Sequence, residues 1–312
     1  MDRIHYYFAP MEGITTWIYR RAHAEVYDPL SKYFIPFIEP HEKRDFKTRE
    51  LQEILPENNE GIYVVPQILT NRAESFLKLV HALQGYGYKE INLNLGCPSR
   101  TVASKQKGAG FLALTEELDH FLEDIFSGTD AKISVKTRIG KTDPEEFSRL
   151  LEIYNRYPLE ELIIHPRVQA DYYQGEPRRE VYEEARERSR NRTCYNGDLF
   201  TASRIRSFCE EYPEEDRLMI GRGLVLNPGL CSRKSTKEQF RTFHEKLLSG
   251  YLSRNLGDTN VLFKMKELWF YQIHLFADAK SYEKKLRKVQ RLSEYMKIVE
   301  ALLGEREFCP PS

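Results

Sequence analysis

The chain has 312 residues, with 47 basic and 47 acidic side chains and 41% hydrophobic residues. This length allows one large α/β barrel or two modest domains. No stretch approaches the roughly 20 apolar residues that a membrane helix needs, and the composition is that of a globular protein, so neither a membrane span nor disorder is expected.

Short apolar or β-branched runs alternate with amphipathic stretches up to about residue 223. The runs predict strands at residues 5–10, 33–38, 61–68, 90–95, 132–138, 161–167, 193–198 and 218–223. Helices are predicted between them, including one capped by Thr115 and one capped by Asp143. Eight strand and helix repeats are typical of a TIM (β/α)8 barrel, and a doubly wound sheet is the alternative.

The chemistry of the strand ends favours the barrel. Nearly every predicted strand finishes in polar or glycine-containing residues, and the C-terminal ends of barrel strands converge on one site. A dinucleotide-binding sheet would carry GxGxxG after its first strand, where this sequence has none. We expect an α/β fold with a catalytic TIM barrel over residues 1–230, a C-terminal all-α domain over 231–304 and a frayed tail over 305–312.

The C-terminal region is predicted to form three helices, at residues 243–255, 261–277 and 281–303. Residues 231–303 hold 15 Lys or Arg against 8 Asp or Glu, so a net charge of +7 is balanced by −7 elsewhere. This asymmetry favours an anionic partner for the helices, and a solvated helical face is the alternative. Trp269, Tyr271 and His274 could stack on bases, although Trp269 and Phe270 are better interpreted as helical core.

Five widely spaced cysteines without a CxxC pair argue against a disulfide framework and a zinc site. The first 13 residues lack the basic and apolar segments of a secretion signal, and motifs of metal-dependent hydrolases and kinases are absent. We therefore expect a cytoplasmic monomer that binds no metal and no membrane.

The predicted strand ends carry two groups of candidate ligand-binding residues. The fifth and sixth strands end in the cationic or hydrogen-bonding side chains Lys136, Arg138, His165 and Arg167. Burying these together without an anionic or electron-rich ligand would be costly, although a lone histidine there would more often be structural. The seventh and eighth strands end in Asn196, Asp198 and residues 221–223, where barrels commonly bind a phosphate.

Cys97 lies between Gly96 and Pro98, upstream of the glycine-rich residues 107–110. These neighbours indicate an exposed loop at the active face, where a thiol can act as a proton donor or nucleophile. The alternative is a small buried hydrophobic residue, which most cysteines are.

Together these motifs resemble the tRNA-dihydrouridine synthase family. The resemblance rests on APMEGIT at 9–15 with Arg20, INLNLGCP at 91–98, KGAG at 107–110, KTRIG at 136–140, IHPR at 164–167 with Tyr173 and Gly175, NGD at 196–198 and IGRG at 220–223. It implies an FMN-containing TIM barrel with a C-terminal helical domain. Such a protein reduces the C5–C6 double bond of particular uridines in RNA, expected here to be tRNA, and NADPH reduces the flavin.

The resemblance also implies residue roles. Side chains expected at the flavin ring are Ala9, Pro10, Met11, Gln67, Lys136 and His165. Residues expected at the ribityl phosphate are Asn196, Asp198, Gly221, Arg222 and Gly223. Residues expected at the uracil are Asn94, Arg138 and Arg167. Hydride from N5 of FMN would add to C6, and Cys97 would protonate C5 as the general acid.

The RNA would bind at the barrel mouth and the basic helices, with the uridine flipped out of its stack. Several residues depart from the usual family pattern: Glu12, Thr16, Pro166, Val168 and Asp171. Glu12 and Pro166 lie near expected flavin contacts and could alter that pocket. Two alternatives are a flavin-dependent reductase of a free enone or pyrimidine, and a non-catalytic RNA-binding protein on the same scaffold.

Overall fold

A computed structural model describes residues 4–311, so Met1–Arg3 and Ser312 lie outside the described residues. Eight parallel strands pair in chain order and form a closed barrel. They are β1 (His5–Phe8), β2 (Lys32–Ile38), β3 (Val64–Ile68), β4 (Glu90–Leu95), β5 (Lys132–Arg138), β6 (Leu162–His165), β7 (Thr193–Tyr195) and β8 (Arg217–Ile220). The predicted TIM barrel is confirmed, and closure of the sheet excludes the doubly wound alternative.

Four of the eight strands, β1, β6, β7 and β8, end earlier than the sequence predicts. β1 ends before Pro10 and β6 ends before Pro166, because proline has no amide hydrogen to donate to a neighbouring strand. β7 ends at Tyr195, so Asn196 and Asp198 lie in the loop that follows. Several of the polar residues predicted at strand ends therefore belong to the loops at the C-terminal side of the barrel.

A cluster of buried, mainly apolar side chains belongs to the barrel strands and the residues that follow them. The buried cluster comprises Tyr7, Ala9, Phe34, Val65, Ile163, Cys194 and Met219. At the N-terminal ends of the strands, Lys32 Nζ lies 2.9 Å from a carboxylate oxygen of Glu90 and 2.9 Å from one of Glu161. Because this end is occupied by a paired ionic cluster, the C-terminal ends remain as the side where a ligand can enter.

Thirteen α-helices occur within residues 4–311. They are α1 (Trp17–Val26), α2 (Thr48–Ile54), α3 (Ala73–Gly85), α4 (Arg100–Ala103), α5 (Thr115–Ser127), α6 (Glu146–Tyr154), α7 (Arg179–Arg188), α8 (Ala202–Glu211), α9 (Arg222–Leu226), α10 (Lys237–Leu252), α11 (Asp258–Gln272), α12 (Lys280–Lys288) and α13 (Leu292–Glu305). None of these helices is both long and apolar enough to cross a membrane.

Several helix predictions are wrong in detail. The N-cap of α6 is Glu145, so Asp143, the predicted cap, lies two residues before the observed cap position. Leu114 occupies the N-cap position of α5, so Thr115 is already the first helical residue. The helix predicted over 281–303 is broken into α12 and α13, because Val289 adopts φ −59° and ψ 137°. The Val289 side chain is buried, and its carbonyl accepts a hydrogen bond of 2.8 Å from Lys266 Nζ instead of continuing the helix.

The chain divides into two compact units. The barrel unit comprises residues 1–10, 32–198 and 215–219, and the helical unit comprises residues 11–31, 199–214 and 220–312. Within the helical unit, the rings of Tyr19 in α1 and Phe243 in α10 pack edge to face, with centroids 5.1 Å apart.

The C-terminal residues are not frayed as the sequence predicts. Phe308 forms an isolated antiparallel bridge with Phe276, and its ring also packs against that of Phe240. The backbone amide of Cys309 donates to the Leu275 carbonyl at 2.7 Å. Residues 305–309 are therefore held against the core of the helical unit.

Candidate active site

The C-terminal halves of β3, β4 and β5 bring polar side chains into one hydrogen-bonded row within the barrel unit. Asn94 in β4 is in register with Lys136 in β5, and Gln67 in β3 is in register with Asn92 in β4. The Asn94 side-chain amide donates to Gln67 Oε1 at 2.7 Å. Three predicted ligand-binding residues, Gln67, Asn94 and Lys136, thus lie on adjacent strands.

The row extends to two residues that the sequence analysis missed. Gln67 Nε2 donates to Asn92 Oδ1 at 2.7 Å, and Asn92 Nδ2 donates to Ser134 Oγ at 2.9 Å. Asn92 precedes Asn94 by two residues, and Ser134 precedes Lys136 by two. In a strand this spacing places side chains on the same face, and it is the signal that could have identified them.

Cys97 lies in the loop after β4, where Asn94 Oδ1 accepts hydrogen bonds from the backbone amides of Gly96 at 3.0 Å and Cys97 at 2.9 Å. The Ala109 amide donates to the Cys97 carbonyl at 3.1 Å. Gly108 has a φ of +55°, and a Cβ there would lie 3.0 Å from Cys97 Cβ. Only glycine fits this close approach without strain, which accounts for the glycine-rich segment downstream.

The Cys97 thiol is partly buried rather than fully exposed. Burial raises its pKa above that of an ordinary thiol, and the opposing influence of nearby Arg138 and Lys136 does not cancel this effect. Cys97 is therefore a protonated thiol at neutral pH, which suits a proton donor better than a nucleophile.

Lys136 presents a charge without a counterion. Among residues 4–311, none forms a hydrogen bond or an ion pair with its ammonium group. Burial, together with the positive charge of Arg138, lowers its pKa to about 8. An ammonium held in this way favours an anionic or electron-rich ligand at the C-terminal end of β5.

Arg138 is 1% exposed, and its side chain connects the loop after β4 to the loop after β6. Its guanidinium donates to the carbonyls of Gly96 at 3.0 Å, Val168 at 2.9 Å and Tyr172 at 2.6 Å. Tyr172 has a φ of +52°, a conformation that is unfavourable for a residue with a large side chain. The contact from Arg138 helps to hold it, and the half-exposed ring of Tyr173 packs under the guanidinium, 5.4 Å from the Arg138 Cζ.

Arg167 is fully buried, and all five of its N–H groups have acceptors in the barrel unit. It pairs through two nitrogens with the Asp198 carboxylate and donates to the carbonyls of Gln174 and Gly175. Its Nη1 also lies 3.0 Å from His165 Nε2. Because arginine can only donate, His165 Nε2 must accept, which makes His165 neutral with its proton on Nδ1. The pairing of Arg167 with Asp198 was not predicted from the sequence.

The remaining predicted cofactor residues fall in both units. In the barrel unit, Ala9 is buried, Pro10 is partly exposed, and Asn196 Nδ2 donates to the Met219 carbonyl at 2.8 Å. In the helical unit, the Met11 amide donates to Thr15 Oγ1 at 2.8 Å.

Residues 221–223 open α9, the short helix expected after β8. A Cβ on Gly223 would lie 2.2 Å from the Leu199 carbonyl oxygen, so the backbone approach here requires glycine. Arg222 stacks over Phe200 at 5.0 Å. The first amides of a helix have no intrahelical acceptor, which is compatible with the phosphate contact predicted for these residues.

The aromatic residues predicted to stack on bases differ in their exposure to solvent. Trp269 is buried in the helical core, as interpreted from the sequence, and its indole donates to the Tyr295 hydroxyl at 2.6 Å. Phe270 is 77% exposed, so the interpretation of that residue as core is wrong. Tyr271 is partly exposed and His274 is exposed.

A family model described as "Dihydrouridine synthase (Dus)" matches residues 7–304. "Probable tRNA-dihydrouridine synthase 2" of Bacillus subtilis is 26% identical over 250 residues, covering 76% of this chain and 74% of the relative. "tRNA-dihydrouridine synthase B" of Pasteurella multocida is 25% identical over 229 residues, covering 72% and 67%.

Among solved structures, morphinone reductase in complex with tetrahydroNAD matches with a TM-score of 0.51 and 10% identity over 77% of this chain and 86% of its own. This likeness concerns the fold alone. The family model, in contrast, spans both the barrel and the C-terminal helices, and the motifs that it covers include the Cys97 loop and Lys136. The chain belongs to the dihydrouridine synthase family.

Proposed function

We propose that this enzyme is an FMN-dependent, NADPH-using reductase that converts particular uridines in RNA to 5,6-dihydrouridine. The proposed RNA substrate is tRNA. The observation that carries the proposal is the Lys136 ammonium, which lies without a counterion near Cys97, a thiol that burial keeps protonated. The names of the relatives support the substrate class.

The residues present fit a flavin. Lys136 offers a cation, and Gln67 Nε2 has a second hydrogen beyond the one given to Asn92. These donors suit the electron-rich pyrimidine edge of the flavin ring. His165, with its proton on Nδ1, offers a further donor. Other proposed flavin contacts in the barrel unit are Ala9, Pro10 and Asn196. Flavin contacts of Met11, Gly221, Arg222 and Gly223 remain predictions from the family resemblance.

Two predicted contacts take on an indirect role in this proposal. Asp198 carries a negative charge and already pairs with Arg167, so it supports the site through Arg167 rather than by touching a phosphate. Arg167 in turn has no N–H left for the uracil and instead orients His165.

When bound, FMN in its reduced form would provide hydride chemistry at C6 of the uracil. Cys97 Sγ then gives its proton to C5 and becomes a thiolate that solvent reprotonates. Arg138 has N–H groups beyond those that hold the loop carbonyls, and it stabilises negative charge on a uracil oxygen. Asn94 Nδ2 keeps one hydrogen for a uracil carbonyl after donating to Gln67.

The RNA-binding part is proposed to be residues 231–304. The exposed face of α12 carries Lys280, Lys284, Arg287 and Lys288, and the exposed Arg291 is the N-cap residue of α13. None of them forms an ion pair with any residue in the described range 4–311. Because unpaired cations on one helix face can neutralise consecutive phosphates, α12 is the proposed contact to the RNA backbone.

The test measures FMN content and dihydrouridine formation for the purified full chain, with NADPH and RNA from cells that lack the gene. We expect bound FMN and RNA-dependent formation of dihydrouridine.

The Lys136→Met variant should lose most of the flavin. The matched control is Lys132→Met, at the other end of the same strand and paired with Glu160, which should retain the flavin. Failure to take up FMN would refute the enzyme proposal and leave an RNA-binding protein. Reduction of a free enone without action on RNA would favour the small-molecule alternative.

A further inference from the structure

We infer that Asn94 is a positioning residue for the Cys97 thiol, held in orientation by a row of side chains that runs through Gln67 and Asn92 to Ser134. The inference deepens the proposed function, on which it rests for the role of Cys97 as the acid. It gives Asn94 a task in the free protein, before any RNA binds.

The geometry of the loop is set by one oxygen atom. Asn94 Oδ1 accepts from two successive backbone amides, those of Gly96 and Cys97, at 3.0 and 2.9 Å. This contact ties the start of the loop to β4 and fixes where the Cys97 Cα lies. The opposite side of the loop is fixed by the Ala109 amide, which donates to the Cys97 carbonyl.

The orientation of every amide in the row follows from those two backbone groups. A backbone N–H can only donate, so the Asn94 atom that faces the loop must be oxygen, and Nδ2 must face Gln67. Gln67 then presents Oε1 to Asn94 and Nε2 to Asn92. Asn92 consequently presents Nδ2 to Ser134 Oγ.

The row is well protected from water. Ser134 and Asn92 are 0% exposed and Gln67 is 1% exposed. Flipping any one amide would place donor against donor or oxygen against oxygen inside the barrel, which is costly where water cannot compensate. Ser134 thus provides the last acceptor of an arrangement that begins at the backbone amides of Gly96 and Cys97, and Gln67 is shared between this arrangement and the proposed flavin contact.

The test measures alkylation of Cys97 by iodoacetamide as a function of pH in the full chain without RNA, resolved by peptide mass analysis from the other four cysteines. In Asn94→Leu the loop loses its acceptor, so water reaches the thiol and its pKa falls toward the ordinary value. A pKa lower by one unit gives roughly ten times as much thiolate, and we expect an increase in rate of about that size at pH 8.

Ser134→Ala tests the far end of the row, since Ser134 touches neither the loop nor the proposed ligands. We expect a change in the same direction of roughly two- to threefold, because Asn92 Nδ2 loses its acceptor and the preferred orientation of the row weakens. Ser148→Ala in α6 is the matched control and should leave the profile unchanged. Should Asn94→Leu fail to fold, Asn94→Asp keeps an acceptor for both amides, and its negative charge should move the Cys97 profile to higher pH.

The inference would be overturned if the rate of Cys97 alkylation in both Asn94→Leu and Ser134→Ala stayed within twofold of that in the unmodified chain at every pH. An Asn94→Asp variant whose alkylation shows the same pH dependence as the unmodified chain would also overturn it. If Asn94 only contacted the uracil, its substitution would raise the KM for RNA but would not change the alkylation of Cys97 in the absence of RNA. Because the measurement needs no RNA turnover, it also stands apart from the test of the proposed function. A chain that forms no dihydrouridine could still pass it.

Discussion

Cys97 carries the most specific expectation for a single side chain. Since its thiol is the proposed proton donor, Cys97→Ala should retain bound FMN and its reduction by NADPH, while dihydrouridine formation falls roughly 100- to 10,000-fold. Stopped-flow absorbance of the flavin and mass analysis of the RNA measure the two steps separately. Cys309→Ala, on the exposed C-terminal segment, is the matched control. Dihydrouridine formation by Cys97→Ala at the unmodified rate would refute the acid role.

The proposed acid role of Cys97 also predicts how the rate of dihydrouridine formation depends on pH. Burial raises the Cys97 pKa, so the thiol remains protonated through neutral pH and the acid form is lost only as pH rises above that value. The rate of dihydrouridine formation should therefore be flat across neutral pH and fall on the alkaline side. A rate that rises with pH through this range would indicate that the thiolate, and thus a nucleophile, is the active form.

His165 offers a spectroscopic prediction. With Arg167 donating to Nε2, the ¹⁵N spectrum of His165 at pH 7 should show a protonated Nδ1 and an unprotonated Nε2. Arg167→Gln should remove this preference, and it should cost about 3–5 kcal/mol of stability because the Asp198 carboxylate loses its buried partner. The exposed His120 serves as an internal reference in both spectra. An unaltered His165 spectrum in Arg167→Gln would show that another group sets the tautomer.

Residue types and strand order were enough to predict that Gln67, Asn94 and Lys136 lie on neighbouring strands, but not which polar side chains contact one another. Arg167 and Asp198 are 31 residues apart, and their pairing depends on the curvature that brings the loops after β6 and β7 together. The same holds for Ser134 and Asn92, whose hydrogen bond requires the register of β4 with β5. The type of each side chain can be read from the sequence, whereas its hydrogen-bond or ion-pair partner depends on how the strands pair in the closed sheet.

At the level of secondary structure, α12 carries the clearest prediction. Lys284 and Lys288 lie one turn apart on its exposed face and have no ion-pair partners among residues 4–311. Replacing both with Ala should weaken RNA binding and reduce the slope of log affinity against log salt by about 1.4–1.8 if each contacts one phosphate. Filter binding at several salt concentrations measures both quantities.

The matched control for α12 is Lys89→Ala, which removes an exposed lysine just before β4 in the barrel unit. It should leave the salt slope unchanged. An equal effect of Lys89→Ala and the α12 double variant would mean that net charge alone determines binding, and the proposal that α12 contacts the RNA backbone would fail.

The break between α12 and α13 illustrates why helix boundaries were harder to predict than helix existence. Leu286, Val289 and Leu292 continue one apolar spacing across the break, so the pattern alone indicates a single helix. At the break, the Val289 carbonyl accepts from the side chain of Lys266, more than 20 residues earlier. A tertiary contact of this kind leaves no trace in the spacing of apolar residues.

For the whole molecule, the alternation of strands and helices predicted the closed barrel, because eight βα repeats of this length have few other compact arrangements. The composition of the helical unit was less accessible. It includes α1 and α8, which the sequence analysis assigned to the barrel. Aromatic contacts made by Tyr19 and Tyr27 with Phe243 join distant parts of the chain, and no local signal marks them.

Two buried histidines in the helical unit affect the stability of the molecule. His23 Nε2 lies 2.9 Å from the Pro228 carbonyl, and His244 Nε2 lies 2.7 Å from the Tyr295 hydroxyl, which also accepts from Trp269. Burial lowers the pKa of each histidine to about 4. In the barrel unit, burial acts in the opposite sense on Glu215, whose pKa rises to about 7. The variation of total stability with pH therefore combines opposing contributions, and single variants are needed to separate them.

His244→Gln isolates one contribution, since glutamine can still form a hydrogen bond with the Tyr295 hydroxyl and does not titrate. Below an unfolded-state pKa of about 6.5 the unfolded chain binds a proton that the folded chain excludes, so His244 costs about 1.4 kcal/mol per pH unit until pH 4. Between pH 7 and pH 5, His244→Gln should therefore lose about 2 kcal/mol less than the unmodified chain in urea unfolding. His120→Gln, at an exposed position, should follow the unmodified chain. Equal losses in all three proteins would refute the prediction that His244 stays neutral in the folded chain at pH 5.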